Sequence, residues 1–399
     1  MSGTRRKPGL MSRHIDGFGS RLIELGYTPD TIRNMLKDIG QLGRWMESEG
    51  IEDWQLTRAA VEAFICARRT EGHRRVPSVR CFTPLLAYLR SEGVLLPEVP
   101  PLTPLDEVMA HYRTWLILDR GLAATTVLRY ETLARRFLHE RAATDGAGFV
   151  EDLKGPDVVG FLVRECTRVT VGAAKGRVAE LRSLLRFLYL KGLTPLPLAT
   201  AVPPVAGWHD TRVPPVISIG HVQRVLDCCD RSSAVGIRDF AILMLVARLG
   251  LRSIEVARLE LSDIDWRAGE IVVRGKARRW DRLPLPSDVG EALSCYLCDA
   301  RRATTIRQVF LAHKAPIRAI RPDLVSDVTR RACERAGVPA VGAHRLRHAL
   351  AAELLRRGAT LVEVSQVLRH RDLATTAIYA KVDLGSLRNV AQPWPGAAR

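Results

Sequence analysis

Two proline-rich stretches without helical or strand periodicity divide the 399-residue chain. The first, VLLPEVPPLTP, covers 94–104, and the second, TPLPLATAVPPVAGWHDTRVPP, covers 194–215. Proline removes a backbone donor and disfavours helix at the residue before it, so such stretches are typical of linkers. We therefore predict three domains, at 1–97, 104–195 and 213–399.

The first two segments have the pattern of small all-helical modules of similar design. They close on the similar phrases LLAYLRSEGV (85–94) and LLRFLYLKGL (184–193). In these phrases Gly93 and Gly192 fall just after a helix, where glycine is favoured because it adopts a left-handed backbone without strain. Thr28, followed directly by a proline, predicts a helix start in the first module. The pattern favours a tandem repeat of helical modules.

The third segment mixes helices with strands. IRDFAILMLVARLG (237–250) is typical of a long apolar helix that stops at Gly250. The stretch 261–286 alternates polar and apolar residues, with turn signals at Gly269 and Gly275, and predicts a three-stranded antiparallel sheet. The fold class we predict is mainly α with a small antiparallel β-sheet.

The charge balance points to a polyanionic partner. The chain has 60 Lys and Arg against 43 Asp and Glu, a formal net charge of +17. Residues 301–350 alone hold eleven basic residues, most of them Arg, against three acidic ones. Arg can bind phosphate through two parallel hydrogen bonds, although any single basic residue is more often just solvated. The surplus favours nucleic acid or a membrane surface as partner.

The chain shows no signal for secretion, membrane insertion or a zinc site. No apolar run approaches the length of a membrane span, and MSGTRRKPGL lacks the apolar region of a signal peptide. Cys295 and Cys298 form a lone C-x-x-C pair within a predicted helix, and a zinc site needs four ligands, so we expect packing thiols. We predict a reduced, cytoplasmic protein.

Several polar residues of the third segment have both a structural and a catalytic explanation. Arg252 follows the helix stop directly, ahead of a new helix that Ser253 can cap, and Lys276 lies at the tip of a predicted hairpin. Tyr379, in LRHRDLATTAIYAKV (368–382), can be a packing aromatic or a nucleophile. Taken alone, none of them decides between the two explanations.

GAHRLRHALAAELLRRG (342–358) adds a helix with two histidines. His344 and Arg347 are three residues apart and share a helix face. His344 and His348 have the spacing of the zinc motif H-E-x-x-H. Arg345 stands where that motif has its glutamate, which removes the general base and puts positive charge beside the site. We therefore reject a metalloprotease.

Five short motifs occur in the order and spacing of one known family. They are GLRSIE (250–255), GKARR (275–279), HRLRH (344–348), LRH (368–370) and a tyrosine nine residues after the last His. Together they resemble the tyrosine recombinases, also called the phage integrase family, over roughly 213–385. The resemblance implies a site-specific recombinase that cuts and rejoins duplex DNA through a 3′-phosphotyrosine, without cofactor, metal or small-molecule substrate.

The resemblance also implies roles for individual residues. The predicted catalytic set is Arg252, Lys276, His344, Arg347, His370 and Tyr379, with Glu255 and His348 in supporting positions. One position departs from the family, which usually has Gly directly before the last His, where this chain has Arg369. Because glycine eases the end of a helix, we expect a strained turn there.

Breaking a phosphodiester without metal needs these residue types. Tyr supplies the nucleophile, two Arg hold the non-bridging oxygens, Lys protonates the leaving oxygen, and His handles the nucleophile's proton or orients the phosphate.

The resemblance further implies a core-binding domain at 104–195 that clamps duplex DNA with the catalytic domain, and assembly as a homo- or hetero-oligomer, a tetramer on DNA. The repeat makes 1–97 a second helical DNA-binding or protein-contact module. The alternatives are a DNA-binding accessory protein that has lost catalysis and a helix-turn-helix regulator.

Overall fold

The structure is a computed structural model of the whole chain. Two predicted catalytic residues, Lys276 and Tyr379, lie outside the residues it describes. By proximity of its Cα atoms the chain groups into two units, one of Met1–Leu96 with Val213–Arg399 and one of Pro97–Arg212. The described residues are 9–96, 103–145, 150–206, 217–275 and 280–370, without the side chains of 143–145.

The N-terminal segment is a helical module with its own apolar core. Thr28 caps the second helix as predicted, accepting the backbone N–H of Thr31 at 3.4 Å, with proline in the first turn. Phe18, Phe64 and Phe82 are buried in the core of the module. Its helices are α1 (Ile15–Glu24), α2 (Pro29–Ser48), α3 (Arg58–Thr70) and α4 (Val79–Ser91).

The unit Pro97–Arg212 is also helical and packs around aromatic side chains. The rings of Tyr112 and Phe187 lie 5.1 Å apart, and Tyr112 is fully buried. Gly192 follows the last helix with φ +69°, and Gly93 follows α4 with φ +72°, so the predicted left-handed glycines of both modules are confirmed. The helices are α5 (Pro104–Leu118), α6 (Ala124–Asp145), α7 (Gly155–Cys166) and α8 (Val171–Leu190).

The third segment carries the sheet and the largest core. The predicted antiparallel sheet is confirmed, with strand order β1-β2-β3 and Ile271 of the middle strand opposite both Ile264 and Leu283. The strands are β1 (Ile264–Asp265), β2 (Glu270–Arg274) and β3 (Trp280–Pro284). The helices are α9 (Ile219–Asp227), α10 (Ala234–Leu249), α11 (Ser253–Arg258), α12 (Ser287–Cys295), α13 (Pro322–Arg335), α14 (Ala343–Arg356) and α15 (Leu361–Val367).

Helix α10 runs through the middle of this core, and it ends just before Arg252. Most of its side chains are buried, and it stops at Gly250, whose φ is +59°. The predicted cap of the following helix is wrong: Arg252, not Ser253, is the capping residue of α11. The reason is Glu255, whose carboxylate accepts the backbone N–H of Arg252 at 2.8 Å and thereby draws the start of the helix one residue back.

The N-terminal segment contacts the third segment through the turn after α1. The carbonyl of Leu25 accepts the backbone N–H of Ile317 at 2.8 Å, and the carbonyl of Gly26 accepts Nη1 of Arg302 at 3.0 Å. Both acceptors are main-chain atoms, so this contact depends on the shape of the turn. The three predicted segments each contain a separate cluster of buried apolar residues, and their exact boundaries stay predictions.

Two further expectations concern cysteines and membranes. Cys295 and Cys298 were expected to pack in the interior, and this is wrong, because both are exposed and the Cys295 thiol donates to Asp299 at 3.4 Å. Across the ranges that the structure describes, every helix is too short or too polar to cross a bilayer.

Candidate active site

Arg252 occupies the corner between α10 and α11, with its guanidinium partly open to solvent. Its side chain is 36 % exposed, and Nη1 donates to Glu255 Oε1 at 2.6 Å. Its Nη2 donates to the carbonyl of Arg369 at 3.2 Å, across 117 residues of sequence. Arg252 is therefore held on two sides while part of its donor edge stays accessible to a ligand.

Glu255 is the buried carboxylate that anchors this corner. Only 4 % of the residue is exposed, and it accepts hydrogen bonds from the main chain and side chain of Arg252 and from the side chain of Arg369. Burial alone raises the pKa of Glu255, but the charge of Arg369 and the bonds from Arg252 outweigh it and hold the pKa below its usual value. Glu255 is thus an ionised structural acceptor, in keeping with the supporting role predicted for it.

Helix α14 carries His344, Arg347 and His348 and places them near Arg252. The rings of His344 and His348 meet edge to face with centroids 4.2 Å apart. Burial and the charges of Arg347 and Arg252 lower the pKa of His344, and burial with His344 as neighbour lowers that of His348 to about 4. Both imidazoles are therefore neutral at pH 7, able to donate through one nitrogen and accept through the other. Within the described part of the chain, no further His, Cys, Asp or Glu joins them in a possible metal site.

Arg347 is far more deeply buried than its sequence pattern indicates. It is 1 % exposed, the largest of the fully buried side chains among the described residues. Its Nη1 donates to the carbonyl of Gly250, and its Nη2 donates to the carbonyl of Leu368. Arg347 thereby joins the end of α10 to the end of α15, so the motifs that carry Arg252 and His370 are fixed relative to each other.

Helix α15 ends in a left-handed turn that places His370. Thr360 and Glu363 form a capping box at its start. At its end the N–H of Arg369 donates to Gln366 and the N–H of His370 donates to Ser365, both at 3.0 Å, which is a Schellman motif. Arg369 has φ +54°, so the strained turn expected at this position is confirmed.

His370 lies among positive charges at this turn. Burial first, and then the charges of Arg347 and Arg252, lower its pKa to about 4. A neutral imidazole near two guanidinium groups can accept or relay a proton at neutral pH. His344 also contributes to the shift, which places the two predicted site histidines in one electrostatic environment.

The structure therefore brings together four of the six predicted catalytic residues, Arg252, His344, Arg347 and His370. In sequence, Lys276 lies between β2 and β3, and Tyr379 lies nine residues beyond His370. Arg274, at the end of β2, binds Asp263 at 2.8 Å and Glu260 at 3.0 Å, and this anchor of the hairpin was not predicted. The only indication of this anchor in the sequence is that Arg274 is a basic residue directly before the GKARR motif.

The arrangement suits a ligand with a negatively charged tetrahedral group. Arg252 offers a partly open guanidinium, and Glu255 has its charge compensated by arginines. The neutral imidazoles of the predicted site histidines, His344 and His370, supply proton donors and acceptors. Preorganised donors of this kind stabilise charge that develops during phosphoryl transfer, because they need no reorganisation as the reaction proceeds.

Comparison with known proteins identifies the family of the chain. The model of the phage integrase family matches residues 216–385. The integrase/recombinase y4rA of Sinorhizobium fredii is 38% identical over 99% of this chain and 97% of its own length. The tyrosine recombinase XerD of Mycobacterium tuberculosis is 33% identical over 72% of this chain and 95% of its own length.

Solved structures share the fold. A lambda integrase dimer bound to a COC′ core site has a TM-score of 0.54 at 16% identity, covering 86% of this chain and 90% of that chain. The XerH site-specific recombinase in a post-cleavage complex with palindromic difH substrate has a TM-score of 0.52 at 14% identity, covering 97% of this chain and 95% of that chain. With the full-length likeness to y4rA and the clustered arginines and histidines, the chain belongs to the phage integrase family of tyrosine recombinases.

Proposed function

We propose that the protein is a site-specific DNA recombinase that cuts and rejoins duplex DNA through a 3′-phosphotyrosine intermediate. The observation that carries this proposal is the convergence of Arg252 at the start of α11, His344 and Arg347 on α14, and His370 just after α15. These residues are up to 118 positions apart in sequence, and the fold assembles them around one partly open guanidinium.

In the proposed cleavage step the hydroxyl oxygen of Tyr379 attacks the scissile phosphorus. The bond from phosphorus to the 5′ oxygen breaks, Lys276 protonates that leaving oxygen, and a neutral imidazole, His370 or His344, takes the tyrosine proton. Arg252 and Arg347 offset the charge of the pentacoordinate transition state. Rejoining reverses these steps with a new 5′ hydroxyl, so the energy of the broken bond is kept in the phosphotyrosine.

The two arginines have different surroundings, which sharpens their proposed roles. Arg252 has the more accessible guanidinium and is the one we assign to direct contact with a non-bridging oxygen. Arg347 is buried, and its Nη1 and Nη2 donate to the carbonyls of Gly250 and Leu368. We assign to Arg347 the alignment of the helix ends around the phosphate, together with a positive charge that offsets the charge of the transition state.

The net charge of the chain and its family both support a DNA substrate. A net charge of +17 fits a polyanion, and we propose double-stranded DNA, held by the unit Pro97–Arg212 and by the catalytic segment. The lambda integrase and XerH structures contain DNA, and one lambda integrase structure is a tetramer on a Holliday junction, which supports a homo- or hetero-tetrameric assembly on DNA. Since the substrate is DNA, we place the activity in the cytoplasm.

A DNA-binding accessory protein without catalysis is not favoured. All six catalytic positions hold the residue types that the chemistry needs, and the four described ones lie in one electrostatic environment. A helix-turn-helix regulator would leave that arrangement unexplained.

The decisive test is trapping a covalent adduct on a nicked duplex, whose cut fragment diffuses away and prevents rejoining. We expect wild-type protein to form the adduct and Tyr379→Phe to form none. Tyr88→Phe is a matched control, because Tyr88 lies in the N-terminal module, keeps its ring against Phe18 when the hydroxyl is removed, and should leave adduct formation unchanged. An adduct of undiminished yield with Tyr379→Phe would refute the assignment of the nucleophile.

A further inference from the structure

Arg369 has an unusual combination of backbone strain and side-chain burial. It is the one non-glycine residue with positive φ among the described residues, at +54°. A left-handed conformation costs roughly 1–2 kcal/mol for a residue with a Cβ, and glycine avoids that cost. An arginine at this position therefore needs a compensating interaction elsewhere.

The side chain of Arg369 supplies such an interaction. It is 4% exposed, and its Nη2 donates to Glu255 Oε2 at 2.9 Å. Its Nη1 donates to the carbonyl of Val367 at 3.2 Å, which folds the side chain back over the end of its own helix. A buried ion pair with hydrogen bonds at this distance is costly to break, because the remaining charge is left without a partner.

The main chain of Arg369 makes a second connection to the same corner. Its carbonyl accepts Nη2 of Arg252 at 3.2 Å, while Arg252 Nη1 binds Glu255 Oε1 at 2.6 Å. Glu255, Arg252 and Arg369 thus form a closed ring of interactions. His370 is the next residue in the chain and its backbone N–H is fixed by the same turn.

We propose that Arg369 is a positioning residue for the recombination reaction: its guanidinium, bound to Glu255, holds Arg252 and the turn that carries His370 in one alignment. This inference rests on the proposed function, because alignment matters only if Arg252 and His370 act on the phosphate. It assigns a role to a position where a helix end would ordinarily favour glycine.

Three substitutions separate the charge of Arg369 from its strain. Arg369→Gly removes both the guanidinium and the left-handed strain. Arg369→Met keeps the strain and the apolar stem but removes the charge, and Arg369→Lys keeps the strain and a charge. Arg330→Met is the matched control, because Arg330 forms an exposed ion pair with Asp327 on α13 and loses one surface charge in the same way.

The experiment measures the single-turnover rate of adduct formation on the nicked duplex, together with duplex affinity and Tm. Loss of alignment can lower a rate by up to about 100-fold, so we expect Arg369→Gly and Arg369→Met to be slowed 10-fold or more, with affinity changed less than about 3-fold. Arg369→Lys should recover part of the rate, and Arg330→Met should retain it. All rates are measured well below each variant's Tm, so that an unfolded fraction does not contribute.

A double substitution tests the link to Glu255. If the two side chains act as one unit, Glu255→Gln with Arg369→Met slows the reaction by less than the product of the two single effects. The proposal is overturned if Arg369→Gly cleaves at the wild-type rate, if Arg369→Lys is no faster than Arg369→Met, or if the double effect is the simple product. A wild-type protein that forms no adduct refutes the proposed function instead, so the two failures are distinguishable.

Discussion

Gly250 provides a direct test of how tightly the end of α10 is packed against the site. A Cβ added there would lie 2.9 Å from Leu368 Cδ2 and 3.1 Å from Leu350 Cδ2, and the residue has φ +59°. Gly250→Ala therefore adds a left-handed strain of about 1–2 kcal/mol and a crowding cost of about 1–3 kcal/mol. Gly269→Ala is a matched control, because Gly269 has φ +64° and no atom within 4 Å of the added Cβ.

The two variants are compared by thermal unfolding of the full chain. One kcal/mol shifts Tm by about 2–4 °C in a domain of this size, so we expect a loss of about 10 °C for Gly250→Ala and about 4 °C for Gly269→Ala. Because the Gly250 carbonyl accepts Arg347, Gly250→Ala should also slow adduct formation, while Gly269→Ala should not. Equal losses of Tm in the two variants would refute the crowding argument.

Three further predictions concern chemistry, protonation and the N-terminal module. Arg252→Lys should slow adduct formation by about 100-fold or more while duplex affinity changes little, since the lost donors act mainly on the transition state; a parallel fall in both would make Arg252 a docking residue. His348 and His370, with pKa values of about 4, should stay neutral down to about pH 5 in an NMR titration of labelled imidazoles. Because the unfolded chain protonates such groups near pH 6.5, it binds more protons than the folded chain, and stability should fall from about pH 6.5 to about pH 4; resonances that titrate near pH 6.5 would contradict the buried, cationic environment. Removing residues 1–97 should weaken DNA binding or assembly yet leave adduct formation detectable, and complete loss of folding would show that this segment completes the catalytic core.

Much of the fold could be predicted from local patterns. The left-handed glycines at 93, 192 and 250, the capping box at Thr360 and the three-stranded sheet are determined by residues close together in the sequence, so periodicity and turn chemistry identify them. The site residues were predicted from motif order, because each one alone has an ordinary structural explanation. The catalytic roles of all six residues stay predictions.

Interactions between distant segments could not be predicted in the same way. A charged residue beside His344 on a helix face indicates exposure, yet Arg347 is buried because carbonyls 97 and 21 residues away accept its hydrogen bonds. The sequence showed that Arg369 departs from glycine and indicated strain, but its partner Glu255 lies 114 residues away. Main-chain acceptors leave no trace in residue types, so only the folded structure shows them.

The bonds of Arg347 to main-chain carbonyls have a consequence for how such a protein can diverge. A carbonyl oxygen is present whatever side chain its residue carries, so no single substitution at residue 368 can delete the acceptor that Arg347 uses there. The acceptor that Arg347 uses at this helix end is thereby kept whatever side chain residue 368 carries. Surfaces that recognise a target sequence are then free to change, and a new target site can be acquired without rebuilding the chemistry that cuts it.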